Sequence, residues 1–279
     1  MKLTFLYCEG PHDVAFIAKL INQLNFSNKD IKIVSELPEC IQNIIKQAIS
    51  NIETESLRID KPLKAFFPNK VFPLEDNQYV CLFSTGGKEH LQAALENIRK
   101  NKLLIGREKS TGIASIQHAF ILDADYEQFE NGQNNLHGGI EGTLNYLSDE
   151  IRKVIPEFTN FTCNSSWVDT DFGIIGNYIF TAHNSKEGTV EDLIDDIIKP
   201  TQLVQPSDNF CTAIKDFDEA RNAKAKDRTK LQKIKLTCIT QAFHPGSSLA
   251  VGLTNDKIID IEKLTGSQVL ESFEKFIKG

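Results

Sequence analysis

The stretch Leu3-Thr4-Phe5-Leu6-Tyr7-Cys8-Glu9-Gly10-Pro11 decides the fold class. Its first six residues are mostly apolar and predict a buried strand. Gly10-Pro11 ends that strand and begins a helix, because proline is well tolerated in the first helical turn. Apolar residues then recur at helical spacing, at Val14, Ile17, Ile21 and Leu24. A buried strand that leads directly into an amphipathic helix is typical of an α/β fold.

The same alternation continues along the chain. Further buried strands are predicted at Tyr79–Phe83, Ala119–Leu122 and Phe172–Phe180. Helices are predicted around Leu91–Ile98, at 140–154 and at 190–198, and Thr189 and Asp192 have capping-box spacing before the last of them. Strands that alternate with helices predict a Rossmann-like parallel sheet flanked by helices. Residues 207–242 and 266–278 predict a mainly helical C-terminal part.

The predicted core spans residues 1–200, and a helical extension at 201–279 packs on it. An insertion at about 28–77 interrupts the core, with a short strand at Ile31–Val34 and a helix from Ile41 to Ile52. Prolines predict a loop after that helix (Pro62, Pro68, Pro73). Trp167, with the polar residues 164–166, is predicted to form a surface loop.

Bulk composition excludes several classes of protein. Hydrophobic residues make up 41% and charged residues 25% of the 279 residues, which is ordinary for a globular protein. No apolar run approaches the roughly 20 residues that span a bilayer, and acidic residues close to the start argue against a signal peptide. The six scattered cysteines contain no CxxC pair and fit a reducing compartment. The sequence therefore predicts a cytoplasmic protein without membrane contact.

Charge is distributed unevenly. The net charge is −7, yet residues 221–235 carry seven basic residues against one acidic residue. This segment has a local net charge of +6, so the rest of the chain carries −13. It predicts either a nucleic-acid-binding surface or a solvated helix face. The candidate nucleic-acid-binding residues are Arg221, Lys224, Lys226, Arg228, Lys230 and Lys235.

Polar residues follow three of the predicted strands. Glu9-Gly10 follows the first, Gly86-Gly87-Lys88 the second and Asp123-Ala124-Asp125 the third. The carboxyl ends of parallel strands share one edge of a sheet, where sites form. Carboxylates crowded there would repel each other unless a cation neutralised them, and oxygen ligands suit Mg²⁺. An Asp-x-Asp turn alone could equally be a solvated turn, but its combination with Glu9 favours a divalent-metal site.

The ordered motifs resemble those of the TOPRIM superfamily, the metal-binding fold of topoisomerases, DnaG-type primases and OLD-type nucleases. Tyr7-Cys8-Glu9-Gly10-x-x-Asp13 resembles the family's Glu-Gly-x-x-Asp motif, and Phe120–Asp125 resembles its Asp-x-Asp motif. Glu187–Ile194 and the stretch from Lys233 to Gly246 are similar to later segments of small stand-alone members. The insertion at 28–77 departs from the usual compact family core.

The resemblance implies a function and a set of roles. Glu9 would act as general acid/base or metal ligand, Asp123 and Asp125 would hold Mg²⁺ or Mn²⁺, and Lys233, or else Lys235, would stabilise the phosphoryl transition state. Further implied positions are Asp13 and Glu191 as metal ligands, and Gly10, Gly87 and Lys88 where the phosphate approaches the backbone. Asp13 and Glu191 could equally be ordinary first-turn acids, which the helix dipole favours.

These roles predict a metal-dependent nuclease that acts on DNA or RNA. The chain has no GxxxxGK[ST] motif, so a partner ATPase would supply any ATP dependence. Two alternatives stay open: a non-catalytic TOPRIM-like module that binds nucleic acid or protein, and, less favoured, a nucleotide-sugar transferase with an Asp-x-Asp motif. A phosphatase with a nucleophilic Asp after the first strand is disfavoured, because that position is Glu9. A homodimer is compatible with the sequence.

Overall fold

A computed structural model describes residues 1–50, 66–104, 111–129, 132–199, 201–216 and 228–279. In these ranges six strands form one sheet in the order β2-β3-β1-β4-β6-β5. The strands are β1 (Lys2–Cys8), β2 (Lys70–Leu74), β3 (Gln78–Ser84), β4 (Ser115–Asp123), β5 (Ser166–Thr170) and β6 (Gly173–Phe180).

The four inner strands are parallel, and the two outer strands pair antiparallel to them. Cys8 at the end of β1 lies between Ser84 of β3 and Ile121 of β4. Three strands therefore end at the same edge of the sheet, which is the edge that the sequence marks with polar residues. The predicted α/β architecture is confirmed, although the sheet is mostly rather than wholly parallel.

Ten α-helices accompany the sheet in the described part of the chain. They are α1 (Pro11–Gln23), α2 (Glu39–Ser50), α3 (Gln92–Asn101), α4 (Gly139–Arg152), α5 (Val190–Asp196), α6 (Val204–Asp216), α7 (Arg228–Gln241), α8 (Leu249–Leu253), α9 (Ile261–Thr265) and α10 (Gln268–Lys278). None of these described helices combines the length and the apolarity that crossing a bilayer requires.

The sheet separates two apolar cores. Alternate side chains of a strand point to opposite faces, so Leu6 and Cys8 of β1 enter one core while Phe5 and Tyr7 enter the other. The first core is covered by α1, α5 and the C-terminal helices α7–α10, and the second by α2, α3 and α4. The C-terminal helices thus complete one whole face of the sheet.

The insertion differs from its predicted form. Pro73 does not lie in a loop, because it belongs to edge strand β2, where a missing N–H is tolerated. The strand predicted at Ile31–Val34 is absent; the Ile31 N–H instead donates to Val71 O at 2.8 Å and covers the outer edge of β2. Ile52 and Pro62 lie outside the described residues.

Trp167 was predicted in a surface loop, and this prediction is wrong. It lies in β5, stacks on Phe276 of α10 with ring centroids 4.6 Å apart, and donates its indole N–H to Phe276 O at 3.1 Å. Gly176 on β6 makes room for it, since an added Cβ would lie 2.4 Å from the indole ring. The tryptophan therefore holds α10 against the edge of the sheet.

Candidate functional site

Five acidic residues gather at the carboxyl edge of the sheet. Glu9 follows β1, Asp123 ends β4 and Asp125 lies two residues further on. Asp13 and Glu191 join them from the first turns of α1 and α5. Their charges act on one another: burial, and then the charge of each of the other four carboxylates, raises the pKa of Asp123. The five acidic residues singled out from the sequence therefore lie close together in the structure.

Asp13 and Glu191 are buried, with exposed fractions of 3% and 0%. One oxygen of Asp13 accepts the Gly10 N–H and so caps α1. Gly10 leaves little space for any side chain, because an added Cβ would lie 3.0 Å from the His12 ring. Complete burial of two first-turn acids distinguishes them from the solvated residues that the helix dipole alone would favour.

The Asp123–Asp125 turn is joined to the N-terminus of α5. Asp123 Oδ1 accepts the Val190 N–H at 2.8 Å, and Asp125 exchanges two 2.9 Å backbone hydrogen bonds with Gly188. Asp125 has a φ of 57°, a left-handed conformation that is uncommon outside glycine. These contacts fix Glu191 beside the turn.

Glycines position Glu9. The N–H groups of Gly86 and Gly87 donate to Glu9 O at 3.1 and 2.8 Å. Both glycines have positive φ, at 86° and 134°, which other residues rarely adopt. The backbone of Gly87 therefore holds the backbone of Glu9 at the strand end.

Three cationic or ionisable groups touch the acids. Lys88 Nζ lies 2.9 Å from Asp125 Oδ2 and also donates to Thr143 Oγ1 at 2.8 Å and to two backbone carbonyls. Lys233 Nζ lies 3.6 Å from Glu191 Oε1. His12 Nε2 lies 3.0 Å from the same oxygen, without hydrogen-bond geometry.

Lys233 and Lys235 have different surroundings. Lys233 faces the acidic cluster, and four of its carboxylates raise the pKa of this lysine against the opposing effect of burial. Lys235 instead pairs with Asp195 at 2.8 Å and Asp208 at 3.0 Å. Of the two lysines, Lys233 is the one at the cluster.

Burial and mutual repulsion raise the pKa values of three of the acids in the cluster. Burial, together with the charges of Asp125 and Asp13, raises the pKa of Glu9 to about 7. Burial likewise raises the pKa of Asp13 to about 6 and that of Asp123 well above its ordinary value. Burial also opposes the ionised form of Glu191, but His12 and Lys233 outweigh it and lower the pKa of this acid.

The donor set fits a hard divalent cation. Buried oxygens of Glu9, Asp13 and Glu191 have no hydrogen-bond donor within the described residues, and an unsatisfied buried carboxylate oxygen is costly. No three His, Cys, Asp or Glu side chains in the described ranges already stand in coordinating positions. Asp125 and Glu191 face Lys88 and Lys233 instead. Holding a cation therefore requires these side chains to turn from the lysines towards it.

Within its described residues, 228–235, the basic segment is not one continuous surface. Arg221, Lys224 and Lys226 lie outside the described residues. In α7, Lys233 and Lys235 point to the separate acidic partners given above, while the Arg228 guanidinium lies 4.2 Å from the centre of the Tyr126 ring; Lys230 makes contacts of its own. Successive residues of a helix face different directions, so the charges counted along the sequence do not add up on one described face.

His12 is the residue that the sequence did not assign. Its side chain is 20% exposed and touches both Asp13 and Glu191. The carboxylates raise its pKa although burial alone would lower it. Its position between Gly10 and Asp13 in the first turn of α1 was the available signal, but the direction of a first-turn side chain cannot be deduced without the packing of α5.

Comparisons with known proteins give a family but no activity. A family model described as "Protein of unknown function (DUF3226)" matches residues 4–278. The crystal structure of the hypothetical protein PH0156 from Pyrococcus horikoshii OT3 is similar, with 14% identity over 100% of this chain and 95% of that chain and a TM-score of 0.44. No match was found among curated proteins.

Proposed function

The chain belongs to the DUF3226 family of proteins of unknown function, and we propose that it is a divalent-metal-dependent nuclease with a TOPRIM-type acidic site. One observation carries the proposal: buried carboxylate oxygens of Glu9, Asp13 and Glu191 converge beside Asp123 without hydrogen-bond donors in the described part of the chain. A fold tolerates such a cluster at a cost in stability, and function is the usual reason for that cost.

A bound Mg²⁺ or Mn²⁺ would supply charge neutralisation and polarise a phosphoryl oxygen. Asp123, Asp125 and Glu191 are the residues that would hold it, joined by Glu9 or Asp13. Glu9 is suited to move a proton at its carboxylate, because a pKa of about 7 lets it both accept and donate near neutral pH. Lys233 places a positive charge at the rim of the cluster, where phosphate charge would develop.

Proton transfer involves a second residue. His12 lies 3.0 Å from Glu191 and on the same helix as Asp13, so it can orient Glu191 or relay a proton at that carboxylate. In this proposal Lys88 positions the acidic residues and takes no part in the chemical step. Its ammonium holds the Asp123–Asp125 turn through Asp125 and Thr143, which keeps the two aspartates at the strand end.

Plasmid cleavage tests the proposal. Purified protein is incubated with supercoiled plasmid in Mg²⁺ or Mn²⁺, beside Glu9→Gln and Asp123→Asn, with the exposed Glu36→Gln as the matched control. We expect nicking or degradation by the wild type and by Glu36→Gln, and loss of at least 100-fold in both site variants, which is the range that acid–base groups contribute.

The alternative is a TOPRIM-like module that binds nucleic acid or a partner without turnover. The observation in its favour is that Lys88 and Lys233 already neutralise two of the acids. Absence of cleavage in either metal, across plasmid, single-stranded DNA and RNA, would reject a nuclease that acts alone, in favour of this module or of an enzyme that requires a partner ATPase.

A further inference from the structure

A cleft opens directly beside the acidic cluster. It has a volume of about 680 Å³ and shares Asp125 with the cluster as one wall. The remaining lining residues come from the loop after Asp125, the loop before α5 and the start of α7: Tyr126, Glu127, Gln128, Phe129, Asn135, Glu187, Arg228 and Thr229. Its size is in the range that holds small organic groups.

Two flat surfaces border this cleft. The Phe129 side chain lines the cleft and is 50% exposed, so a ligand in the cleft can reach its ring. On the other surface, Arg228 lies 4.2 Å over the Tyr126 ring. Aromatic rings and guanidinium planes are the surfaces on which unpaired nucleobases stack. A base in a duplex is already stacked and paired, and cannot reach them.

Hydrogen bonds hold the cleft in shape. Asn135 donates to Tyr126 O at 3.0 Å and accepts the His137 N–H at 3.2 Å, while Glu187 Oε2 accepts the Glu127 N–H at 2.9 Å. The lining carboxylates can accept hydrogen bonds from N–H groups, which every base carries. A preformed site of this kind loses little entropy when a ligand enters.

We infer that the cleft binds an unpaired nucleobase of a single-stranded nucleic acid, adjacent to a phosphate held at the acidic cluster. The inference rests on the proposed function for the role of that phosphate. Asp125 belongs to both sites, so the base and the phosphate come from the same or neighbouring nucleotides. Stacking tolerates every base, and the site is therefore selective for single strands and not for sequence.

Binding without cleavage tests this inference separately from the nuclease. Fluorescein-labelled 12-mers of single-stranded DNA, single-stranded RNA and duplex DNA are titrated with the protein in Ca²⁺, and anisotropy gives each Kd. Phe129→Ala is compared with Phe210→Ala, a matched control because Phe210 is 52% exposed and does not line the cleft. Thermal unfolding of both variants checks that the fold is kept.

We expect both single strands to bind more tightly than the duplex, and Phe129→Ala to weaken single-strand binding about tenfold or more while Phe210→Ala leaves it unchanged. Comparison of the Kd values for single-stranded DNA and single-stranded RNA identifies the preferred sugar. Equal affinity for the duplex, equal effects of the two variants or no binding of any 12-mer would overturn the inference. A Phe129 effect in a protein that never cleaves would reject the nuclease and keep the base-binding cleft.

Discussion

Replacing Glu9 by glutamine should stabilise the metal-free protein at alkaline pH. The wild-type carboxylate is buried among other acids, which displaces its pKa from 4.5 to about 7. A displacement of that size corresponds to about 3 kcal/mol between the ionised and neutral forms. Part of this cost comes from neighbouring carboxylates that remain in the variant. We therefore expect the free energy of unfolding of Glu9→Gln to exceed that of the wild type by about 2–3 kcal/mol at pH 8 in EDTA.

The direction in which stability changes with pH follows from proton binding. The folded state holds the Glu9 proton more tightly than the unfolded chain does, so this contribution to stability is complete below pH 4.5 and is lost as pH rises through 7. Wild type and Glu9→Gln should therefore have similar unfolding free energies near pH 4.5 and diverge up to pH 8. Urea unfolding in EDTA measures the difference, and the exposed Glu36→Gln should match the wild type at every pH.

Saturating divalent metal should make the wild type more stable than Glu9→Gln at pH 8. A bound Mg²⁺ or Mn²⁺ would relieve the same repulsion in the wild type, so saturating metal should raise its stability at pH 8 by more than that of Glu9→Gln. If Glu9→Gln is no more stable than the wild type in EDTA at pH 8, the electrostatic reasoning about this site is wrong.

Three further predictions concern how the site and sheet are held. Lys88→Met should strengthen Mg²⁺ binding in calorimetry by about 10-fold, because it removes a positive charge that competes with the metal for Asp125, 2.9 Å away; unchanged or weaker affinity would contradict this competition. Gly176→Ala should destabilise the fold by about 1–3 kcal/mol in urea, since its Cβ would overlap the Trp167 ring. Phe276→Ala should cost about 3–5 kcal/mol and shift Trp167 emission to the red, and an unshifted spectrum would show that the stack does not form in solution.

Much of the inner fold could be predicted from the sequence. Strands β1, β3 and β4 are continuous apolar runs that end in polar residues, and this pattern suffices because both faces of an inner strand are buried. The edge strands were missed for the opposite reason. β2 contains Pro73, and β5 (Ser166–Thr170) has few apolar residues, since an edge strand needs neither a full set of donors nor burial on both faces.

Which acidic residues cluster could be predicted from the sequence, but not which basic residue pairs with which acid. Glu9, Asp123 and Asp125 followed from strand ends and parallel topology. The contacts of Lys233 with Glu191, and of Lys235 with Asp195 and Asp208, depend on how α7 rotates against α5. Helical periodicity does not specify that angle when nearly every position of α7 is partly buried. For the same reason the directions of the described basic side chains of α7 could not be predicted from the sequence.

The position of β1 has a consequence for synthesis. This strand pairs with β3 on one side and with β4 on the other, and its partner residues lie 76 and 113 residues further along the chain. Contacts of such long range form slowly. A nascent chain on the ribosome must keep the apolar segment 3–8 without its β4 partner until residue 123 has emerged, and must wait for α7 to bring Lys233 to the acids. During that interval the strand is exposed to aggregation, so we expect its yield in cells to depend on holding chaperones more than on the final stability of the fold.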